Sequence, residues 1–545
     1  MSSKFRFITT YALASVALAA CGGGGDGGPQ VAAPPVVVAP PPPDPVGNTW
    51  QAGRFEPASQ FKDQCAVPRT GTDSNGNRYP DVAGTLSDEL FWLRSWSDET
   101  YLWYDEIPDQ NPDSFTSTLS YFEELKTNAT TVNGNPKDRF HFTYTTEEWE
   151  RIRAGTSSGY GARFTILQSS PPRDIRVAFV EPGSPAAAAG LDRGDRIVTA
   201  DGVDVVNGTD VDAINSAIFL HENGEEHVFE IESRDGVSST VTLTSGPVVQ
   251  SPVNVVRTFE QNGRRYGYLH FTTFSPDTSE VAIFDAFDQL QAAGIDDMVL
   301  DLRYNGGGKS SVASQLSYMI AGPDRTRGLT FALLEFNDKA GDRDPVTGEL
   351  IRPTPFYDTG QGFTVPSSRR ASSVSKPRVF VLTTSRSCSA SEAVMNALRG
   401  IDVEVIQIGT GTCGKPYGFY ATPNCGTTYF TIQLRLVNAK GFGDYADGFE
   451  PGKPVGSLGD VMPGCTVADD FDKALGDPSE AMLSAALTYA ETGSCPTAAR
   501  KVVSDDERND IAIETGEHDL WNDPRLQALE YARTLDIGDT QGGLR

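Results

Sequence analysis

The chain has 545 residues, in which 45 Lys and Arg stand against 73 Asp and Glu, and its formal net charge is −28. This length exceeds what one hydrophobic core organises, so it predicts several folding units. A charge this negative repels phosphate backbones and anionic lipid headgroups, so nucleic acid is not an expected partner.

The first 20 residues have the pattern of a secretory signal peptide. Lys4 and Arg6 precede an apolar stretch that is too short to span a bilayer, and Cys21 follows it. The sequence Leu-Ala-Ala-Cys that ends there resembles the bacterial lipobox, in which the cysteine receives a lipid. An ordinary signal peptide with a chance cysteine is the alternative. Because Gly22 rather than Asp follows, we expect a cell-envelope protein anchored by lipid to the outer membrane.

Residues 21–47 are Gly-rich and then Pro-rich, a composition that cannot pack a core and predicts a solvated tether. The next region, residues 48–154, is predicted to be helical and rich in aromatic residues. Its apolar side chains recur at helical spacing and form one stripe, at Leu90, Leu93, Trp96 and Leu102. We expect this stripe to dock on the main body.

Residues 155–247 resemble a PDZ domain. The resemblance is carried by short motifs, which are Gly-Ser-Pro-Ala at 183–186, Ala-Gly-Leu at 189–191, Gly-Asp-Arg-Ile at 194–197 and Asp-Gly at 201–202. A glycine-rich turn entering a strand exposes amides that can capture a terminal carboxylate, while the strand edge pairs with an extended peptide. This turn and strand supply the predicted peptide-binding residues, Gly159, Tyr160, Gly161 and Phe164. A β-domain used only for packing is the alternative.

Residues 248–470 contain two predicted βαβ units. In the first, a strand over 266–274 leads to a helix that Pro276 begins and Gly294 ends, and a buried strand over 298–303 follows. Asn-Gly-Gly-Gly at 305–308 then lies at the carboxyl end of that strand, where open α/β sheets bind ligands.

The second unit has a strand over 378–383, a helix over 390–398 and a strand over 403–408. Between the units, the polar stretch 337–369 is predicted to be an insertion over the site. Residues 471–545 form an acidic C-terminal region that begins with a helix and ends in a tail that we expect to be partly mobile.

The candidate site begins with Ser-Cys-Ser-Ala-Ser-Glu, in which Ser389 starts a helix after a strand. A serine hydroxyl needs a base to take its proton and amides to receive the oxyanion. The amide of Ala390 in the first helical turn is one predicted oxyanion donor, and the amides of Gly306 and Gly307 are two more. The alternative is that Ser389 and Glu392 form only a capping box.

Lys415 is the candidate base, in a Gly-Thr-Cys-Gly-Lys loop flanked by apolar residues. A lysine becomes a base near neutral pH only when burial lowers its pKa by roughly three units. Lys309, beside the glycine run, is the rival and is predicted to be solvated. A histidine base is a further alternative, for which His141 is the best of the five histidines.

In this order the motifs resemble those of the carboxyl-terminal processing, or tail-specific, serine proteases. The motifs are Asp-Arg-Phe at 138–140 with Glu147 downstream, the PDZ motifs, Asp-Leu-Arg-x-Asn-x-Gly-Gly at 301–308, Ser-Ala-Ser-Glu at 389–392 and Gly-Lys at 414–415. The resemblance implies an α/β multidomain fold, with a crotonase-like (Clp-protease-like) peptidase core, an inserted PDZ β-domain and an N-terminal helical region. It also implies that Ser389 is the nucleophile and Lys415 the base, and that substrates are proteins or peptides.

One position departs from the family pattern. Members often carry a glutamine four residues after the lysine, and here that residue is Phe419. The expected function is an exported serine endopeptidase that needs no metal or cofactor, and the alternative is an inactive, membrane-tethered scaffold that binds peptides.

Six cysteines follow Cys21, and an even number in an exported chain predicts disulfides. Their spacing fits no zinc site, because no Cys-x-x-Cys pair or histidine cluster is present. Proximity favours three pairs, which are Cys413–Cys425, Cys465–Cys495 and, from the remaining two, Cys65–Cys388. A Cys388–Cys413 bridge stays open, and it would connect the nucleophile and base segments.

Overall fold

The computed structural model describes residues 48–73, 76–219, 223–456 and 459–497. The predicted signal peptide, Cys21, the predicted tether and the tail that was expected to be partly mobile lie outside these residues, as do His221 and His518. No helix among the described residues is long and apolar enough to cross a membrane.

The N-terminal region packs its aromatic residues around one long helix. Its elements are β1 (Gln64–Cys65), β2 (Val82–Ala83), α1 (Leu86–Thr100), α2 (Thr118–Phe122), β3 (Phe142–Thr145) and α3 (Thr146–Arg153). Thr85 and Asp88 form a capping box that begins α1. Leu90, Leu93 and Trp96 are buried as the stripe predicted, but Leu102 lies beyond the end of the helix.

The PDZ-like region is a β-domain with two short helices. It contains β4 (Thr156–Gly159), β5 (Ala162–Gln168), β6 (Asp174–Val180), α4 (Pro185–Ala188), β7 (Arg196–Ala200), β8 (Val203–Asp204), α5 (Val211–Ile218), β9 (Glu226–Glu232), β10 (Ser238–Thr244) and β11 (Gly246–Val249). The sheet order is β10-β9-β7-β6-β5, with β8 beside β7, so β5 is an edge strand. β4 and β11 pair with each other where the chain enters and leaves this domain.

The core is an α/β domain. Its first half has β12 (Val253–Gln261), β13 (Arg264–Phe271), α6 (Thr278–Ala293), β14 (Asp297–Asp301), α7 (Ser310–Ala321), α8 (Pro323–Thr326), β15 (Thr330–Phe336) and β16 (Thr354–Pro355). Its second half has β17 (Arg378–Thr383), α9 (Ala390–Gly400), β18 (Glu404–Gly409), β19 (Tyr417–Gly418), β20 (Thr422–Asn424), β21 (Thr427–Phe430), β22 (Leu434–Val437), β23 (Gly464–Thr466) and α10 (Ala481–Thr492).

The main sheet has the order β12-β13-β14-β17-β18-β23, and all its pairs are parallel except β12 with β13. Both predicted βαβ units are present, and Gly294 ends α6 in a left-handed conformation. Parallel strands bring their carboxyl ends to one edge of the sheet, so the segments that follow β14, β17 and β18 meet there.

Two smaller sheets accompany the main sheet, and the second joins the core to the N-terminal region. One has the order β16-β15-β22-β19, and in the other β21 lies between β20 and β3 of the N-terminal region. The stretch 337–369 was predicted to lie over the site. Its described contacts include α6, where the Glu280 carboxylate accepts the amides of Thr364 and Val365 at 2.9 and 2.8 Å, and the Tyr101 carbonyl, which accepts the Asn337 side-chain amide at 3.0 Å.

Candidate active site

Ser389 lies in a sharp turn between β17 and α9. Its φ of 57° and ψ of −107° are unusual for a residue with a side chain, and such backbone strain persists only where the surroundings enforce it. The carbonyl of Asn305 supplies part of that restraint, since it accepts the Cys388 amide at 3.0 Å and the Ser391 hydroxyl at 2.9 Å. The turn is therefore fixed to the end of β14.

The glycine run after β14 offers fewer free amides to an oxyanion than the sequence predicted. The Gly307 N–H donates to Asn305 Oδ1 at 2.9 Å. This amide is therefore not available as the oxyanion donor that the sequence predicted. Among the described residues, the N–H groups of Ala390 and Gly306 have no acceptor in the structure. These two predicted donors remain available to an oxyanion.

Lys415 is buried, with 1% of its surface exposed, and its Nζ has no hydrogen-bond partner among the described residues. The Nζ lies 4.3 Å from the ring centre of Phe419 and 4.7 Å from that of Phe140. Burial lowers the pKa of Lys415 well below its usual value, and the carboxyl groups of Asp138 and Glu392 oppose this shift only in part. The side chain therefore has the environment of a neutral amine, which is the form a base requires.

The Glu392 carboxylate connects the two halves of the site. Its Oε2 accepts the amides of Ser389 at 3.0 Å and Lys415 at 2.8 Å. Its Oε1 accepts the Thr412 hydroxyl at 2.6 Å and the Gly414 amide at 2.8 Å. Burial raises the pKa of Glu392, while these four donors lower it. The capping interaction and the active-site arrangement are thus not alternatives, because one carboxylate serves both.

The N-terminal region completes the site from outside the core. The Arg139 guanidinium donates to the Cys413 carbonyl at 2.9 Å, and Phe140 covers Lys415. Asp138 accepts the Tyr101 hydroxyl at 2.8 Å and the Phe140 amide at 2.9 Å. In the sequence these residues are visible only as the Asp-Arg-Phe motif at 138–140, which indicates the family but not their contacts with the lysine loop.

The rival bases are both engaged elsewhere. Lys309 was predicted to be solvated, which is wrong, since it is 2% exposed; its Nζ donates to the Ser275 carbonyl and lies 3.2 Å from an Asp277 oxygen. His141 is buried with Nδ1 3.0 Å from the Thr431 hydroxyl and Nε2 2.7 Å from the Phe122 carbonyl. Both of its ring nitrogens are therefore occupied, as in a structural histidine.

The six cysteines of the described residues are all paired, but not all as predicted. Cys465–Cys495 forms as expected. Cys413–Cys425 and Cys65–Cys388 are wrong, since the structure has Cys65–Cys425 and Cys388–Cys413. Proximity along the chain did not predict these two disulfides, because the fold brings together cysteines that are 360 and 25 residues apart in the sequence. The open alternative, a bridge between the nucleophile and base segments, is the one that forms.

The predicted peptide-binding residues lie at the end of β4, in the turn that follows it and on β5. Gly161 has a φ of 76°, and a Cβ there would lie 2.2 Å from that of Ser184, so the turn requires glycine. Gly159 pairs with Gly246 of β11, and Tyr160 donates its hydroxyl to the Ala217 carbonyl at 3.0 Å. Phe164 is buried on β5, and its ring is perpendicular to that of Phe219, which follows α5, with the ring centres 6.3 Å apart.

Comparison with known families supports this architecture. Residues 265–419 match peptidase family S41, residues 92–144 match the peptidase S41 N-terminal domain, and residues 176–230 match the PDZ domain. Over these three stretches the chain is similar to peptidase family S41 with a PDZ domain. The S41 match includes both Ser389 and Lys415, and the N-terminal match includes Asp138 and Phe140.

Two curated relatives carry processing-protease names. A carboxyl-terminal-processing protease of Picosynechococcus sp. is 32% identical over 167 residues, which cover 30% of this chain and 39% of the relative. The carboxyl-terminal-processing peptidase 2 of Arabidopsis thaliana chloroplasts is 28% identical over 252 residues, which cover 42% of this chain and 47% of the relative. The chain thus spans less than half the length of each of these two relatives.

A solved structure of an S41 protease from Bacteroides fragilis has the same fold. It superposes with a TM-score of 0.57 at 24% identity and covers 76% of this chain and 98% of that protein. The S41 architecture, an α/β core with a PDZ domain, is therefore the architecture of this chain.

Proposed function

We propose that this chain is a serine endopeptidase of the C-terminal processing type. The observation that carries the proposal is the burial of Lys415 without a hydrogen-bond partner among the described residues, in a loop that shares the Glu392 carboxylate with the Ser389 amide. Burial lowers the pKa of this amine well below its usual value, which favours the neutral form that can accept a proton.

In the proposed reaction, the Ser389 hydroxyl attacks the carbonyl carbon of the scissile peptide bond and Lys415 takes its proton. The oxyanion receives hydrogen bonds from the Ala390 and Gly306 amides. Lys415 then returns the proton to the leaving amine, which yields an acyl-enzyme. Water attacks the ester with Lys415 again as base, and Ser389 recovers its proton. This chemistry uses only groups of the protein and one water.

The test is digestion of an unfolded protein substrate by the purified chain, beside the variants Ser389→Ala and Lys415→Ala. Both variants are expected to lose activity by about 10²-fold or more. Activity retained by the Ser389 variant refutes the assignment.

The second candidate is an inactive scaffold that binds peptides, and the observation that favours it is Phe419 in place of the family's frequent glutamine. The Phe419 ring contacts the Lys415 amine, and burial supplies the pKa shift without the glutamine. Covalent labelling of Ser389 by a serine-directed acylating reagent separates the two candidates, because only an activated hydroxyl reacts.

We also propose that the PDZ domain recruits substrates by their carboxyl termini. The support is the edge position of β5, the Gly161 turn at its start and the apolar side chain of Phe164 beside α5. Peptides that differ only in a free or an amidated carboxyl terminus provide the measurement. Equal binding of the two peptides to the chain contradicts carboxylate capture.

We propose, finally, that the protein is exported and anchored by a lipid on Cys21. Three disulfides are typical of an oxidising compartment, which supports export. Growth of a bacterial host with a labelled fatty acid is expected to label the wild-type protein and not Cys21→Ala. Equal labelling of the wild-type protein and the Cys21→Ala variant contradicts the proposed lipid anchor.

A further inference from the structure

The Cys388–Cys413 disulfide joins the two segments that carry Ser389 and Lys415. Cys388 immediately precedes Ser389, and Cys413 lies two residues before Lys415. Both cysteines are partly exposed, unlike Ser389 and Lys415. A reductant can therefore reach this disulfide from solvent, and a change at either sulfur acts directly on the site.

A third ligand group lies beside the two sulfurs. Cys388, Glu392 and Cys413 are the one group of three His, Cys, Asp or Glu residues in the described part of the chain whose ligand atoms all lie within 4.8 Å of one another. Cys413 Sγ is 3.4 Å from Glu392 Oε2. In a tetrahedral zinc site, Zn–S near 2.3 Å and Zn–O near 2.1 Å separate the two ligand atoms by about 3.6 Å.

We propose that this group is a zinc site that exists only after the disulfide is reduced, and that zinc bound there inactivates the catalytic centre. A dithiol transfers two electrons and two protons to the Cys388–Cys413 disulfide and itself becomes a disulfide. Zinc(II) then binds the two sulfurs and the Glu392 carboxylate, and the two thiols release their protons. The fourth position is left to water, as in a site with three protein ligands.

The inactivation follows from the contacts of Glu392. A carboxylate has about four acceptor positions, and the amides of Ser389, Gly414 and Lys415 together with the Thr412 hydroxyl already use four. A cation at Glu392 must therefore displace at least one of these donors. Each donor belongs to the nucleophile turn or to the lysine loop, so the displacement moves one reactive side chain relative to the other.

The experiment measures zinc bound by the full chain in competition with a coloured chelator, before and after treatment with a dithiol that is then removed. The readout is metal binding, so it does not depend on peptidase activity. We expect no competition by the oxidised protein and one equivalent bound by the reduced protein. Replacing zinc by cobalt(II) is expected to give a thiolate-to-metal absorption band only after reduction.

The variants identify the ligands. Reduced Cys388→Ala/Cys413→Ala is expected to lose the bound equivalent, while reduced Cys465→Ala/Cys495→Ala, which removes the same number of sulfurs, is expected to keep it. Glu392→Gln is expected to weaken zinc binding by about tenfold or more, since an anionic ligand becomes neutral. Urea unfolding shows whether each reduced variant remains folded.

Zinc binding by the oxidised protein, or undiminished binding by the folded Cys388→Ala/Cys413→Ala variant, overturns the proposal. If that double variant is unfolded, the single variant Cys388→Ala decides in its place, and undiminished binding by it has the same consequence.

Discussion

Arg303 and Lys415 are buried basic side chains of the core, and their surroundings are opposite. Arg303 is 0% exposed and contacts Asp301, Asp469 and Glu480, with nitrogen–oxygen distances of 2.8, 2.5 and 2.9 Å. Lys415 is equally buried but lies between two aromatic rings without a hydrogen-bond partner among the described residues. Burial alone therefore does not determine whether the pKa of a basic side chain rises or falls.

The neighbouring groups determine the direction of the pKa shift. Burial opposes the charge on Arg303, but the three carboxylates hold the pKa of its guanidinium well above the usual value. At Lys415 burial prevails, and the pKa falls. Arg303 is thus a fixed charge that supports structure, and its carbonyl accepts the Thr384 hydroxyl in the turn that leads to Ser389. Lys415 is the titratable group that the proposed reaction uses as its base.

The comparison is tested most strongly by Lys415→Met, which replaces the amine with an apolar side chain of similar length. We expect activity to fall by about 10²- to 10⁴-fold because the base is lost. Stability is expected to stay the same or to rise, since an unpaired buried amine disappears. Kinetics and urea unfolding measure the two effects, and a large loss of stability contradicts the functional interpretation of this lysine.

The converse change is Arg303→Met. We expect it to lower the free energy of unfolding by about 3–5 kcal/mol, because it leaves buried carboxylates without their partner. Urea unfolding measures the loss, and Arg265→Met, at a largely exposed arginine, is the matched control. A loss below about 1 kcal/mol at Arg303 contradicts the proposed structural role of the network.

The comparison also predicts how stability and activity depend on pH. Because the pKa of Lys415 is lower in the folded chain, the unfolded chain holds one more proton between that pKa and the usual 10.5. Stability therefore rises with pH across this window, by up to about 1.4 kcal/mol per pH unit for one proton. Activity rises through the folded pKa, where Lys415 becomes neutral. Urea unfolding and kinetics over a pH series check both trends.

Lys415→Met is the control for this pH dependence. It is expected to remove the contribution of Lys415 to the stability slope, whereas Arg303→Met is expected to retain it. An unchanged slope in the lysine variant means that another group titrates.

The smallest expected effect comes from Phe419→Gln, which introduces the polar residue frequent at this position in the family. A glutamine oxygen can accept a hydrogen bond from the ammonium, which favours the charged form and raises the pKa of Lys415. We expect the midpoint of the pH–activity profile to move upward, with less than about tenfold loss near neutral pH. Phe419→Leu keeps the apolar contact and is expected to shift the midpoint less.

The local patterns determined much of the core fold. The strand at Arg378–Thr383 has its predicted bounds, and the left-handed Gly294 ends α6 as its sequence indicates. These features depend on periodicity and backbone preferences, which act between near neighbours. The same local reading indicated Ser389 and Lys415 as candidates, because a serine at a helix start and a lysine in a glycine loop are visible in the chain itself.

The environment of the candidate site was decided only by the tertiary structure. Asp138 and Phe140, about 275 residues before Lys415 in the sequence, help to set its electrostatics, and Cys388 pairs with Cys413 rather than with Cys65. The prediction that Lys309 is solvated was also wrong, because the packing of the folded chain buries this side chain. Desolvation, disulfide pairing and long-range charge depend on which distant segments meet, and local pattern contains no such information.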